Sequence, residues 1–279
     1  MGLIAPAGRV RVDCHLHTVA SGDAVLTLEE LAERARQAGL DVVCITDHNV
    51  TSAAVRATER DFGVRVVVGE EIRTPDGDII GLFLTERIPY VLPVAEVIAR
   101  IRAQRGLVYV PHPFDLARSS LGRVLPELCA EKAADVIEVF NAKIADPALN
   151  QQAAELARTF GLPGGAGSDA HDAPGVGAAY LEMPDFDGPA GFLAGLADAT
   201  VTGEFRGHAP RYPGWTVLPA SDRGGRLPRA VRHQPAHVLH HRVDDLVRLP
   251  PGAGRGYLPR ALADERGQDA GVEPVERVL

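Results

Sequence analysis

The sequence predicts an α/β fold built on a parallel sheet, open or closed into a barrel. From Arg9 to about Leu196, short apolar runs alternate with segments of helical period. That repeat lays successive strands side by side and parallel. The chemically capable side chains gather where those runs stop, and in parallel α/β folds the carboxyl ends of the strands share one rim. With 279 residues, 46% of them apolar and 24% charged, the chain can hold one large domain, or one of about 200 residues with an appendage.

Seven segments read as strands: Arg9–Asp13, Val42–Asp47, Val64–Glu71, Ile79–Leu84, Leu107–Pro111, Val136–Phe140 and Pro163–Ser168. They are short, mostly rich in Val and Ile, and bounded by Gly, Pro, Asp or Asn, although Pro163–Ser168 is mostly Gly. Three amphipathic helices lie between them. Thr27 caps Leu28–Ala38, with Glu30 placed for a capping box and Gly39 as the stop. Val94–Arg105 ends at Gly106, and Pro147–Phe160 ends at Gly161. The glycines of Gly161–Gly167 lack the Gly-Lys-Ser/Thr ending of a phosphate loop and read as a tight helix-to-strand turn. From Trp215 onward there is no Ile, Phe, Lys, Asn, Met or Cys, while Arg, Pro and Gly recur. The chain therefore divides into a domain at 1–214 and a tail at 215–279 that reads as partly disordered.

Composition excludes several classes. Three cysteines without a Cys-x-x-Cys pair do not make a disulfide scaffold, so a reducing cytoplasm is expected. No apolar run reaches the ~20 residues that span a bilayer, and Met1–Val10 has no signal-peptide core. The first 214 residues carry 19 basic and 29 acidic side chains. That balance argues against a stable nucleic-acid complex held by phosphate neutralisation.

The polar residues at the strand ends carry the chemistry. Asp13-Cys14-His15-Leu16-His17 closes the first strand, Asp47-His48-Asn49 the second and Glu70-Glu71 the third. His112 follows Val108–Pro111, and Ser168-Asp169-Ala170-His171 follows the last run. Alternation sends His15 and His17 to one face, and only one of Glu70 and Glu71 can face the rim. Neutral imidazoles and carboxylates are ligands for Zn, Mn and Fe. A lone histidine is usually a hydrogen-bonded structural residue, but five following strand-like runs point to a metal site. Asp13, on the face of His15, is placed to orient a ligand imidazole, while Glu138 and Asn141 either stand behind the ligands, touch substrate or simply cap a strand end. Arg118 either pairs with a phosphate or is a solvated loop residue. His233, His237, His240 and His241 have helical metal spacing but no supporting pattern around them.

These segments resemble the polymerase and histidinol phosphatase (PHP) family in four motifs: His15-Leu16-His17-Thr18 with Ser21-Gly22-Asp23 behind it, Ile45-Thr46-Asp47-His48-Asn49, His112-Pro113 and Gly167-Ser168-Asp169-Ala170-His171. Gly69-Glu70-Glu71-Ile72 resembles the family's bridging-glutamate strand. That likeness favours Glu71 at the rim, so Glu70 is expected at the surface or behind the ligands. The resemblance covers about residues 9–200 and implies a distorted (β/α)7 barrel with two or three divalent transition-metal ions (Mn, Fe or Zn) at its rim. By position, His15, His17, Glu71 and Asp169 look like ligands of one ion. Glu71 would bridge to a second ion on His112, and Asp23, His48 and His171 would hold a third. Asp78 stands where members commonly have His, so it is either a harder ligand of the second ion or the end of the Pro75-Asp76-Gly77 turn.

The implied activity is hydrolysis of a phosphate monoester of a small molecule or nucleotide by a metal-bound hydroxide, with His15, Glu71 and Asp169 at the catalytic centre and Arg118 on the substrate. An exonuclease or oligonucleotide phosphatase acting on short single strands, and a non-catalytic metal-binding scaffold, are the alternatives. The expected partner is a small phosphorylated substrate, with no membrane; the oligomeric state stays open.

Overall fold

The computed structural model describes residues 7–144, 146–206 and 238–242. Ten strands are β1 Arg9–Leu16, β2 Val42–Ile45, β3 Arg65–Arg73, β4 Asp78–Leu82, β5 Leu107–Val110, β6 Val136–Asn141, β7 Gly164–Gly167, β8 Ala179–Pro184, β9 Thr200–Glu204 and β10 Val238–Arg242. The helices are α1 Leu28–Ala38, α2 Ser52–Thr58, α3 Val94–Ala103, α4 Leu125–Ala130, α5 Pro147–Phe160 and α6 Gly188–Gly195.

The expected barrel is present, nearly closed, with strands β1 to β7 in sequence order. The sheet is not wholly parallel, because β4 runs against both β3 and β5. The short Pro75-Asp76-Gly77 turn makes β3 and β4 a hairpin, and a connection that short forces antiparallel pairing. Asp78 consequently begins its strand on the rim where the neighbouring strands end.

β1 does double work. Its first half, Arg9–Val12, pairs antiparallel with β8, which continues through β9 to β10. Its last residues meet the continuation of β7 instead: Asp169 N–H donates to His15 O at 2.7 Å and His17 N–H to Ala170 O at 2.9 Å. This seam closes the barrel and brings the first and last motifs together.

Two of the three predicted helices rest on the expected signals, whereas α3 ends at Ala103 and the left-handed residue behind it is Arg105, not Gly106. Thr27 Oγ1 accepts from Glu30 N–H at 3.2 Å while Thr27 N–H reaches Glu30 Oε2 at 3.0 Å. Such a cap stabilises by about 1 kcal/mol. Leu31 and Ala35 on α1 are fully buried with Leu26, Ile45 and Phe62. A buried leucine contributes about 1.5–3 kcal/mol. α5 starts on Asp146 and Pro147 and stops at left-handed Gly161. Its Asn150 acts as a ladder partner for β6, accepting from Asn141 N–H at 3.1 Å and donating to Asn141 O at 3.2 Å.

Only Gly161 serves as the turn expected of Gly161–Gly167. Gly164–Gly167 is strand, and its glycines allow close approach. A Cβ on Gly165 would meet the Tyr109 ring, and one on Gly167 would lie 3.0 Å from His15 N and 2.8 Å from Glu138 Oε1. Among the described residues no helix is long and apolar enough to cross a membrane. The reading of 215–279 as partly disordered lies outside the described residues, except that Val238–Arg242 pairs with β9. His240 and His241 are thus in a strand rather than a helix, and His233 and His237 lie outside the described residues.

Candidate metal centre

Glu71 is the hub. Its Oε2 lies 3.5 Å from His15 Nε2, 3.3 Å from His17 Nε2 and 3.0 Å from His48 Nδ1, while its Oε1 lies 3.0 Å from His112 Nε2. Asp169 Oδ1 approaches His17 at 3.5 Å, His15 at 3.9 Å and His171 Nδ1 at 3.4 Å. Asp23, half exposed, reaches His48 Nε2 at 3.4 Å and His171 Nε2 at 3.5 Å. The structure thus assembles seven of the nine candidate ligands in three donor groups, with Asp23 beside the third. The ninth, Asp78, lies on the rim with Arg73 Nε on its carboxylate at 3.2 Å, and outside the three donor groups.

Those groups are His15–Glu71–His112, His15–His17–Asp169 and His17–His48–His171, each with donor atoms within 4.8 Å of one another. Hydrogen bonding shows which nitrogens are available. Ser21 Oγ lies 2.7 Å from Asp47 Oδ1, which has no proton to give when ionised, so the serine proton goes there. Ser21 Oγ therefore accepts from His48 N–H at 3.0 Å and from His17 Nδ1 at 3.0 Å, placing the proton of His17 on Nδ1. His15 likewise turns Nδ1 to Glu138 Oε1 at 3.0 Å. Both Nε2 atoms then present lone pairs, yet they sit 3.0 Å apart. Two facing lone pairs need a cation or a shared proton between them, so the residues present fit a divalent transition metal.

The histidines of the cluster differ in charge. Burial opposes charge on His15, but Glu138 and Glu71 outweigh it and raise its pKa to about 9. For His48, Glu71 and Asp23 likewise overcome burial and raise the value to about 10. His17 goes the other way, held well below its usual range by burial and by His171 and His48. Burial also lowers His171, to about 4. Glu71 stays ionised, held well below the usual range despite burial because His48, His15 and His112 surround it.

The backbone is shaped to the same end. His112 and Asp169 adopt left-handed φ of 27° and 51° without being glycine. Such conformations persist only where the surroundings fix them. Glu138 Oε2 accepts His112 N–H at 2.7 Å, and the seam bond to His15 O fixes Asp169.

Among the supporting residues, Glu138 takes one of the roles read from sequence and Asp13 does not. Asp13 does not orient an imidazole: its Oδ1 accepts the backbone N–H groups of His15 and Ser168. Glu138 does that work, and its Oε2 also takes Asn141 Nδ2 at 2.9 Å. Glu70 is buried rather than superficial. It accepts Ile88 N–H at 2.8 Å, and burial raises its pKa to about 7. Arg118 is not a solvated loop residue; it pairs with Asp169 Oδ2 and lies 3.5 Å from Asp115. Sequence reasoning missed the roles of Asp47 and Ser21 in setting the tautomer of His17, and it missed Lys143. Burial lowers the Lys143 pKa to about 7, with Arg118 adding to the effect. The one signal for Lys143 was its place just past the end of β6.

Residues 13–105 match the PHP domain, and residues 147–201 match the PHP-associated region. An uncharacterized protein of Methanocaldococcus jannaschii is 39% identical over 153 residues, which are 50% of this chain and 87% of that protein. The chain belongs to the PHP family. A second uncharacterized protein of the same organism is 38% identical over 194 residues, 66% of this chain and 78% of its own length. The PHP fold is also that of a two-domain protein of Bacteroides vulgatus containing a predicted PHP-like metal-dependent phosphoesterase. The likeness has a TM-score of 0.56 at 16% identity, covering 72% of this chain and 67% of the other.

Proposed function

We propose that this PHP protein is a metal-dependent phosphatase that hydrolyses phosphate monoesters of a small molecule or nucleotide. The carrying observation is the placement of Glu71, with three imidazole nitrogens on one carboxylate oxygen and His112 on the other. A carboxylate so placed suits two ions a few ångströms apart, the spacing that clamps phosphoryl oxygens. His15, His17, Glu71 and Asp169 would hold the first ion, Glu71 and His112 the second, and Asp23, His48 and His171 the third. Divalent manganese, iron or zinc bound there would supply Lewis-acid charge and an acidified water.

The chain's own residues do the rest. Glu138 and Ser21 keep the Nδ1 protons of His15 and His17 turned away, leaving both Nε2 atoms to face inward. Asn141 Nδ2 steadies Asp169 Oδ2 at 3.1 Å. Arg118, almost buried, offers planar N–H donors beside Asp169, suited to a bidentate grip on phosphate. The acidic domain favours a small substrate over a long nucleic acid.

The test is phosphate release from a panel of phosphomonoesters, nucleotides and short oligonucleotides by manganese-loaded protein, with His15→Ala as control. Release that requires both metal and His15 is expected. Silence across the panel from fully metallated protein would favour a binding role instead, and a preference for oligonucleotides would move the reading to a trimming enzyme.

A further inference from the structure

We infer that Lys143 is a second cationic contact for the substrate phosphate, acting with Arg118 from opposite sides of Asp169. The inference rests on the phosphatase reading above and gives that site a specificity residue.

Lys143 lies two residues past the end of β6, and its backbone is tied at both ends: its N–H donates to Asn141 Oδ1 at 3.0 Å and its C=O accepts from Arg118 Nη2 at 3.4 Å. The ammonium lies 2.7 Å from His171 Nδ1 and 3.7 Å from Asp169 Oδ1. Its side chain is 18% exposed and that of Arg118 is 14% exposed, so both heads enter the centre and neither is sealed away from an incoming ligand.

Charge counting gives the role. Asp169 faces Lys143 with Oδ1 and Arg118 with Oδ2, and Arg118 has a second carboxylate in Asp115 at 3.5 Å, so Asp169 is the carboxylate shared by both cations. Asp169 is also the carboxylate that the His15–His17 donor group would share with an ion. Once Oδ1 turns to an ion, Lys143 loses its nearest carboxylate oxygen while still facing the rim. A phosphate monoester dianion restores the balance, whereas a neutral substrate does not.

A purely structural duty is poorly served by this placement. His171 Nδ1 already has a backbone acceptor, Asp169 O at 3.0 Å. Nδ1 can donate to that carbonyl or accept from Lys143 at 2.7 Å, but not both, and Asp169 Oδ1 at 3.7 Å is the carboxylate facing the ammonium in either tautomer. Lys143 is also one of only two lysines among 29 basic residues. A compact ammonium on a flexible stem therefore stands here in a chain that otherwise uses the planar fork of arginine.

The experiment is calorimetric titration of inorganic phosphate into manganese-loaded wild type, Lys143→Met and Lys143→Arg, with metal content measured on the same samples. Lys143→Met should bind phosphate at least ten-fold more weakly with unchanged metal per chain, and Lys143→Arg should fall between. Unchanged affinity in Lys143→Met, or a wild type that binds no phosphate, would overturn the inference. So would a loss accompanied by loss of metal, which would make Lys143 a support for His171. Failure of the phosphatase reading shows separately, as absence of ester turnover in the wild type, because phosphate binding is read without turnover.

Discussion

Glu138 and His15 are joined across 123 residues of sequence by a carboxylate–imidazole contact of 3.0 Å, with both side chains fully buried. The other Glu138 oxygen takes the backbone of His112. One carboxylate therefore sets the tautomer of one candidate ligand and the strained backbone of another.

Glu138→Gln should weaken metal binding by about 10–100-fold, the usual effect of losing a carboxylate behind a ligating histidine. The amide keeps one acceptor but cannot serve His15, Tyr109, His112 and Asn141 together. Competition against a chelator would measure it, and wild-type affinity in the variant would remove Glu138 from the metal-supporting role.

Metal binding at pH 7 should release protons. Without ions, the neighbouring carboxylates hold His15 and His48 protonated, with values raised to about 9 and 10. An ion must displace those protons, so apparent affinity should climb with pH through neutrality and level off above those values. Calorimetry in buffers of different ionisation enthalpy counts the protons; a buffer-independent heat would contradict the charge state described.

Asp78→Asn should leave the metal content unchanged, because the Asp78 carboxylate is occupied by Arg73. Elemental analysis decides the matter. Loss of one ion per chain would place Asp78 among the ligands of the ion between Glu71 and His112.

Glu70→Gln should stabilise the fold, and increasingly so as pH rises. The buried carboxyl has a pKa of about 7, against 4.5 when unperturbed. Between those values the folded state holds a proton that the unfolded state has released, so wild-type stability falls as pH rises through this window. The amide has no such dependence, and the gap should level off above pH 7 at no more than about 3 kcal/mol. Denaturant melts at pH 5 and pH 8 test it, and an equal difference at both would refute the assignment.

Much of the site is written in local sequence. Thr27, Glu30 and Gly39 mark α1 within a few residues of its ends, and the strand ends hold nearly all the donors because the carboxyl ends of parallel strands share one rim. The omissions have physical causes. α2 and α4 have no side-chain cap and no glycine stop, and α6 begins with Gly188-Pro189 and carries two further glycines. β4 reads as a strand, but its direction depends on the length of the turn before it. Glu138 could not be separated from a strand-end cap, because its partner His15 lies far away in sequence. Arg118 and Lys143 owe their roles to Asp169, a contact no local pattern records.

The barrel seam has a consequence for the order of assembly. Asp13, next to the first pair of donors, reaches Ser168, next to the last, across 155 residues. Closing so long a loop is entropically demanding and tends to come late. A nascent chain emerging from the ribosome would hold His15 and His17 with Glu71 but not Asp169 or His171. The set of donors is therefore complete only once β7 has been synthesised and docked, bringing Asp169 and His171 to the rim.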